Sequence, residues 1–402
     1  MKTKTLLFLL ALIINSTYII NNSEAQWVQC EGIYGGVVSS LAVSGNNIFA
    51  GTHFNGVYLS TNNGSTFTQT ALNNQIVSSL AVSGNNIFAG TYVYGVYLST
   101  NNGSTWTQTA LSNQHVLSLA VSGNNIFAGT YNVKGVYLTT NNGGTWTQTA
   151  LNNRDVLSLA VSGNNIFAGT GNVKGVYLST NNGGTWTQTA LNNRDVYSIA
   201  VSGNNIFAGT ELNGVYFSTN NGSTWTQTAL NNQSVYSLAI SGNNIYAGTE
   251  FNGVYLSTNN GTSWIQKNQG FSSIPTVYSL LIANNYIFAG TDGQSVWRRL
   301  LSEIVGIQNI STEIPSSYSL SQNFPNPFNP ATKIKFDIAH LGDVKIVVYD
   351  VMGREVRTLV NEQLKTGTYE ATFDGNGLNS GVYFYKLITD GFTETRRMIL
   401  LK

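Results

Sequence analysis

Residues 83–91 read SGNNIFAGT, and residues 95–111 read GVYLSTNNGSTWTQTAL. Nearly the same words return along the chain. The SGNN turn opens at Ser44, Ser83, Ser122, Ser162, Ser202 and Ser241, with a degenerate copy at Ala283, at intervals of 39, 39, 40, 40, 39 and 42 residues. A repeat of this length marks a propeller or a solenoid, in which each unit buries its faces against its neighbours.

Turn chemistry cuts each unit into four short β-forming runs. In the second unit these are Val77–Val82, Ile87–Thr91, Gly95–Ser99 and Thr105–Ala110. The turns are Ser83-Gly84-Asn85 and Asn101-Asn102-Gly103. Asn and Gly tolerate the positive φ of twisted hairpins, so Asn-Gly between β-formers predicts a tight turn. The runs are short and rich in β-branched and aromatic residues, with no helical period. Seven copies of the second run occur, but only six are followed by the Asn-Gly turn and an aromatic strand. The last unit stops after Val296-Trp297-Arg298-Arg299. Trp27 precedes Val37 by ten residues, the spacing of Trp106 to Val116 and of Trp146 to Val156. Gln26–Cys30 is therefore expected to supply the missing outer strand. The expected fold is all-β, a seven-bladed β-propeller over 26–301, closed by an N-terminal strand that protects its edges.

The motif Ser60-x-Asn62-x-Gly64-x-Thr66-Phe67, repeated as Ser99-x-Asn101-x-Gly103-x-Thr105-Trp106, resembles the Asp-box (BNR repeat) of sialidases and sortilin-type receptors. The Asp of that box is Asn in all six copies. An Asn side-chain oxygen still accepts backbone N–H groups across a turn. The resemblance implies a folding element and transfers no catalytic residue.

Only 9% of the residues are charged and the formal net charge is +1, which excludes an electrostatic nucleic-acid binder. Residues 26–299 hold seven Lys or Arg and six Asp or Glu, whereas the shorter remainder holds ten and eleven, which places a domain boundary near 300. Cys30 is the one cysteine, so no intrachain disulfide is possible. Residues 1–25 have a secretory layout: Lys2 and Lys4, an apolar core from Leu6 to Ile14, and Ser23-Glu24-Ala25 before a cleavage site between Ala25 and Gln26. That apolar run is too short to span a bilayer, and no later stretch is long enough.

The repeats are so alike that their differences are informative. The SGNN and Asn-Gly turns share one face and hardly vary. The loops between second and third strands, and between units, share the other face and carry the charge and the aromatic rings. Rigid scaffolds usually bind through such loops. The candidate ligand-binding residues are Phe54, Tyr92, Tyr94, Tyr131, Lys134, Arg154, Asp155, Lys174, Arg194, Asp195, Glu211, Glu250 and Phe251. Arg-Asp neighbours also read as ordinary solvated pairs. Glycoside hydrolysis needs two carboxylates roughly 5–10 Å apart, and Glu211 with Glu250 is the available pair. His53 and His115 lack metal-ligand spacing, and no phosphate loop or nucleophile elbow occurs. Near-identical repeats present like groups in a ring, which suits multivalent binding better than catalysis. No catalytic residue, metal or cofactor is expected.

After a linker over 302–317, residues 318–402 carry short strands separated by Asp350-Val-Met-Gly353, Gly375-Asn376-Gly377 and Asp390-Gly391, a pattern expected of a small Ig-like β-sandwich. FPNPFNPATKIKFDI, VVYDVMGREV, LNSGVYFYKL and the terminal TRRMILLK resemble, in order, the type A C-terminal sorting domain of the type IX secretion system. That resemblance implies export through the type IX machinery and a secreted or outer-membrane cell-surface location. The expected protein is a monomeric surface binding protein for a glycan or another polymer. A polysaccharide-acting hydrolase or lyase, and a structural spacer, are the alternatives.

Overall fold

The computed structural model describes residues 26–34, 36–301, 304, 307–311, 313–375 and 378–402. Residues 1–25, read from sequence as a secretory leader with an expected cleavage junction after Ala25, and part of the 302–317 stretch lie outside the described residues.

Among the described residues, seven four-stranded antiparallel sheets lie between Val28 and Leu300. In the second, Val77–Ser83 is innermost, followed outward by Asn86–Thr91, Val96–Ser99 and Thr107–Gln108. Each innermost strand packs on that of the next sheet, and Val277–Ala283 packs on Val38–Ser44, so the series closes into a propeller ring. Both faces of a sheet are covered, which is why Ile87, Phe88 and Ala89 are all buried and the strand shows no alternation. The core is a set of inter-sheet clusters. Phe49, Val57 and Leu72 of one sheet meet Val77, Ile87 and Ala89 of the next, and Phe88, Val96 and Leu111 then meet Val116, Ile126 and Ala128.

Closure occurs where the missing strand predicts it. Val28–Gln29 pairs antiparallel with Val296–Leu300, Val28 opposite Arg298 and Gln29 opposite Trp297. Trp27 anchors this pairing. It is 1% exposed, its Nε1 donates to the Lys267 carbonyl at 2.7 Å, and its ring stacks on Phe271 at 5.0 Å. The neighbouring Cys30 thiol is pushed up to about 12 by burial, against the pull of Arg298, which keeps it protonated.

The outermost strands are shorter than the sequence predicts. Thr105–Ala110 contributes only Thr107–Gln108, because the Ala110 N–H leaves the ladder and donates to the Gly143 carbonyl in the next sheet's turn. The turn is a closed network. The Gly103 N–H donates to Ser99 Oγ at 2.8 Å, and the Thr105 N–H donates to Asn101 Oδ1 at 2.9 Å. Asn101 Nδ2 donates to Thr105 Oγ1 at 2.9 Å, a bond a carboxylate has no hydrogen to make. Gly95 opens the third strand at φ 71°, where a Cβ would stand 1.7 Å from the Leu111 carbonyl oxygen.

Each innermost strand carries the same irregularity. Val77 pairs with Thr91 and Ser79 with Gly90, so Ser78 is left out of the ladder, and the same shift occurs in all seven sheets. Such a bulge bends the strand and re-aims one side chain.

The C-terminal part is two four-stranded antiparallel sheets across a common core that includes Ile334, Phe336, Ile346, Phe373, Tyr385 and Leu400. One strand was not expected. Ile307–Ser311, inside the stretch read from sequence as a linker, pairs with Gly367–Asp374. The opposite edge of Gly367–Asp374 is held by Ala331–Ile338, and the added strand covers its free edge.

The closing anchor sets a stability prediction. Trp27→Ala should lower the unfolding free energy of the propeller by about 3–5 kcal/mol in urea titration. Trp106→Ala, whose partly exposed indole donates to Thr70 Oγ1 at 3.2 Å, should cost clearly less. Equal losses would contradict a special role for the closing strand.

Candidate ligand-binding site at the channel mouth

The bulged residues are, in ring order, Ser39, Ser78, Leu117, Leu157, Tyr197, Tyr236 and Tyr278. All seven line one cavity of about 410 Å³, together with Val37, His53, Tyr92 and His115. The bulge thus turns a repeated backbone defect into a ring of seven side chains at the channel mouth. Second-to-third-strand loops stand beside it, because their backbones bond the connections between sheets: the Tyr92 N–H donates to Ile76, Tyr131 to His115, Glu211 to Asp195 and Glu250 to Ser234.

One sector of the mouth is aromatic. Tyr92 packs on His115 with centroids 4.1 Å apart, Tyr131 meets the same ring edge-on at 5.2 Å, and His53 meets Phe54 at 5.9 Å. The opposite sector is a ladder. Tyr197, Tyr236 and Tyr278 follow one another at 5.1 Å, tilted by 34° and 32°. Burial, then the Glu211 carboxylate and its hydrogen bond, hold the Tyr197 hydroxyl above its ordinary value. Tyr236 stands in the same relation to Glu250. Burial, then Asp292 and Glu250, raise Tyr278. All three hydroxyls stay protonated at neutral pH, and those of Tyr197 and Tyr236 donate to Glu211 and Glu250.

The predicted site residues divide. Of the thirteen, Tyr92 lines the cavity directly, Tyr131 reaches it through His115, and Glu211 and Glu250 reach it through the tyrosines. Asp155 and Asp195 serve the loops. Asp155, 8% exposed, accepts the Val133 N–H at 2.6 Å and Asn172 Nδ2 at 2.8 Å, and Asp195 accepts the Val173 N–H at 2.5 Å. Arg154 turns the other way, its Nε donating to Tyr177 Oη at 3.0 Å, and Arg194 donates to the Asn193 carbonyl. The Arg-Asp neighbours are therefore not pairs, since consecutive residues point to different sides. Tyr94, Lys134 and Lys174 stand exposed with their carbonyls bound by Gln108, Gln148 and Gln188, and they do not line the cavity. Phe54 and Phe251 are exposed loop tips.

The channel residues themselves were missed from sequence. Their signal was present: the innermost strand begins Val-Ser-Ser, Val-Ser-Ser, Val-Leu-Ser, Val-Leu-Ser, then Val-Tyr-Ser three times, and only its second position changes class. Among the described residues, no three His, Cys, Asp or Glu side chains come together as a metal-ligand set.

His115 gives the mouth a pH signature. Burial holds it below its ordinary 6.5, with Asp155 pulling the other way. The unfolded chain then takes up this proton at higher pH than the folded one, so folding stability falls as pH drops below about 6.5 and levels off below the folded value. The urea midpoint should fall between about pH 7.5 and about pH 5.5, and His115→Phe should remove part of that slope. An unchanged slope in the variant would contradict a buried, neutral His115.

The comparisons with known proteins agree with this architecture. No curated protein matches the chain at a significant level. Among solved structures, YCF48 from Cyanidioschyzon merolae superposes with a TM-score of 0.58 at 16% identity, covering 69% of this chain and 98% of that one. A structure of YCF48 bound to D1 peptide gives 0.56 at 13%, covering 70% and 96%. The extracellular domain of the hybrid two-component system BT3049 from B. thetaiotaomicron gives 0.56 at 14%, covering 94% and 57%. At these identities the likeness is one of fold, a β-propeller. Residues 322–401 match the secretion system C-terminal sorting domain, so the chain ends in a sorting tail that directs export to the cell surface or beyond.

Proposed function

We propose that this chain is an exported binding protein that recognises an extracellular polymer, a glycan or a protein, at the mouth of its central channel. In this reading it is a seven-bladed, Asp-box-like propeller followed by an Ig-like sorting sandwich. It acts as a monomer without cofactor, secreted or held at the outer-membrane surface after type IX export. The observation that carries it is the repeated bulge, which gathers two Ser, two Leu and three Tyr side chains from seven near-identical sheets into one cavity. A fold built only as a spacer has no use for that variety.

Binding is favoured over turnover because the carboxylates nearest the cavity, Glu211 and Glu250, are engaged with Tyr197 and Tyr236. Tyrosine hydroxyls bonded to carboxylates form an acceptor-rich wall suited to a ligand carrying many donors, as sugars do. A protein ligand is favoured by the exposed apolar loop tips, and one propeller of the same fold was solved with a peptide bound.

The test uses residues 26–402 in a binding screen over glycans and extracellular proteins, with turnover of each captured polymer measured in parallel. Tyr92→Ala combined with Tyr236→Ala should weaken binding by roughly tenfold or more, as loss of central aromatic contacts does. Ser104→Ala, on the opposite face, should leave it unchanged. Binding indifferent to the mouth variant would sink the assignment of the site. Turnover abolished by Glu211→Gln would make the protein an enzyme.

A further inference from the structure

Carboxylates back the mouth on both sides, with Asp155 beside His115 and most of them behind the ladder. Behind the tyrosine ladder stand Glu211, Glu250 and Asp292, and no Lys or Arg lines the cavity. Next to the end of the ladder, where Val38–Ser44 packs on Val277–Ala283, Ser39 Oγ is a buried oxygen on the cavity wall with no hydrogen-bond partner. The walls therefore present acceptors, negative charge and one unsatisfied hydroxyl.

Around this well stands a crown of apolar tips: Phe54, Val93, Val133, Val173, Leu212 and Phe251, between 48% and 72% exposed. They occupy corresponding positions in six successive loops. Four hold left-handed backbone: Val133 at φ 53°, Val173 at 56°, Leu212 at 56° and Phe251 at 57°. For Val this conformation is a strained outlier that persists only where the surroundings enforce it. The enforcement is visible. Asp155 and Asp195 accept the N–H groups of Val133 and Val173, and Ser234 Oγ and Thr276 Oγ1 accept those of Leu212 and Phe251. The loops are thus fixed by one repeated bond, with apolar side chains held out in water. Exposed apolar tips repeated in six of seven loops about a polar centre mark an interaction surface.

We infer that the propeller captures a protein segment through a basic side chain, a Lys or Arg that enters the mouth against the tyrosine–carboxylate wall while apolar neighbours rest on the crown. Charge complementarity selects the cation, and the aliphatic and aromatic collar selects a peptide over a polysaccharide, which has no branched apolar side chains to set on it. The inference rests on the polymer-binding reading and narrows it.

Residues 26–402 would be titrated with three fluorescent short peptides, identical except for a central Lys, Gln or Glu flanked by Leu and Val. The Lys peptide should bind roughly tenfold tighter than the Gln peptide, as expected for a charge-assisted hydrogen bond, and the Glu peptide weakest. Glu211→Gln with Glu250→Gln should erase the Lys preference. Phe54→Ser with Phe251→Ser should weaken the Lys and Gln peptides alike. These side chains are at the surface, and a thermal melt checks that the variants fold. Equal affinity for Lys and Gln, or a preference that survives the carboxylate variant, overturns the inference. If no peptide binds but a glycan does, with dependence on Tyr92 and Tyr236, the inference falls and the polymer-binding reading stands. If the mouth variants disturb no ligand, both fall.

Discussion

Two residues of β-pairing hold the architecture together. Val28–Gln29 on Val296–Leu300 joins the beginning of the propeller to its end. Without it the seventh sheet would expose an unpaired edge, and the ring would lack a seam fixed by the chain itself. Trp27 makes the short pairing strong enough, since most of its stabilisation comes from an indole buried against Phe271 and bonded to Lys267 rather than from the ladder. Each remaining sheet needs only its neighbours, and the inter-sheet clusters repeat with little change because the residues that form them repeat.

A closed ring makes a site possible by geometry alone. Seven strands converge on one axis, and a bulge at the same place in each puts one side chain per sheet at the mouth. Those residues have no partner in the register of the ladder, so they vary while the scaffold does not. In four of the seven sheets the residue just before the innermost strand has a second task. As Asp155, Asp195, Ser234 or Thr276 it caps the neighbouring loop and sets where that loop's tip points. Scaffold and site are thereby built from the same few positions of the repeat, one position holding and the next but one presenting.

Much of this was legible in the sequence, and the gaps have physical causes. The repeat period, the hairpin turns and the displaced closing strand can be read because Asn-Gly and Trp recur at fixed intervals. The edge strand Ile307–Ser311 could not be read, since nothing local distinguishes five residues that pair with Gly367–Asp374 from linker. Loop residues were favoured as site candidates because loops usually carry function. That logic included Tyr92, which lines the cavity, and Glu211 and Glu250, which stand behind its tyrosines. It also admitted Arg154 and Arg194, whose side chains lie along the scaffold, because sequence neighbours look alike until the backbone separates their directions. The ladder of Tyr197, Tyr236 and Tyr278 sits in strands, and only a bulge, which leaves no mark in the hydrophobic pattern, makes it face the channel.

The central claim is that ligand meets the variable-loop face at the channel mouth and leaves the Asn-Gly turn face bare. Backbone hydrogen exchange of residues 26–402, with and without a captured polymer, tests it most directly. The account predicts added protection at 92–94, 211–213 and 250–252 and none at 101–104 or 181–184. Protection confined to those turns, or spread evenly over both faces, would contradict it.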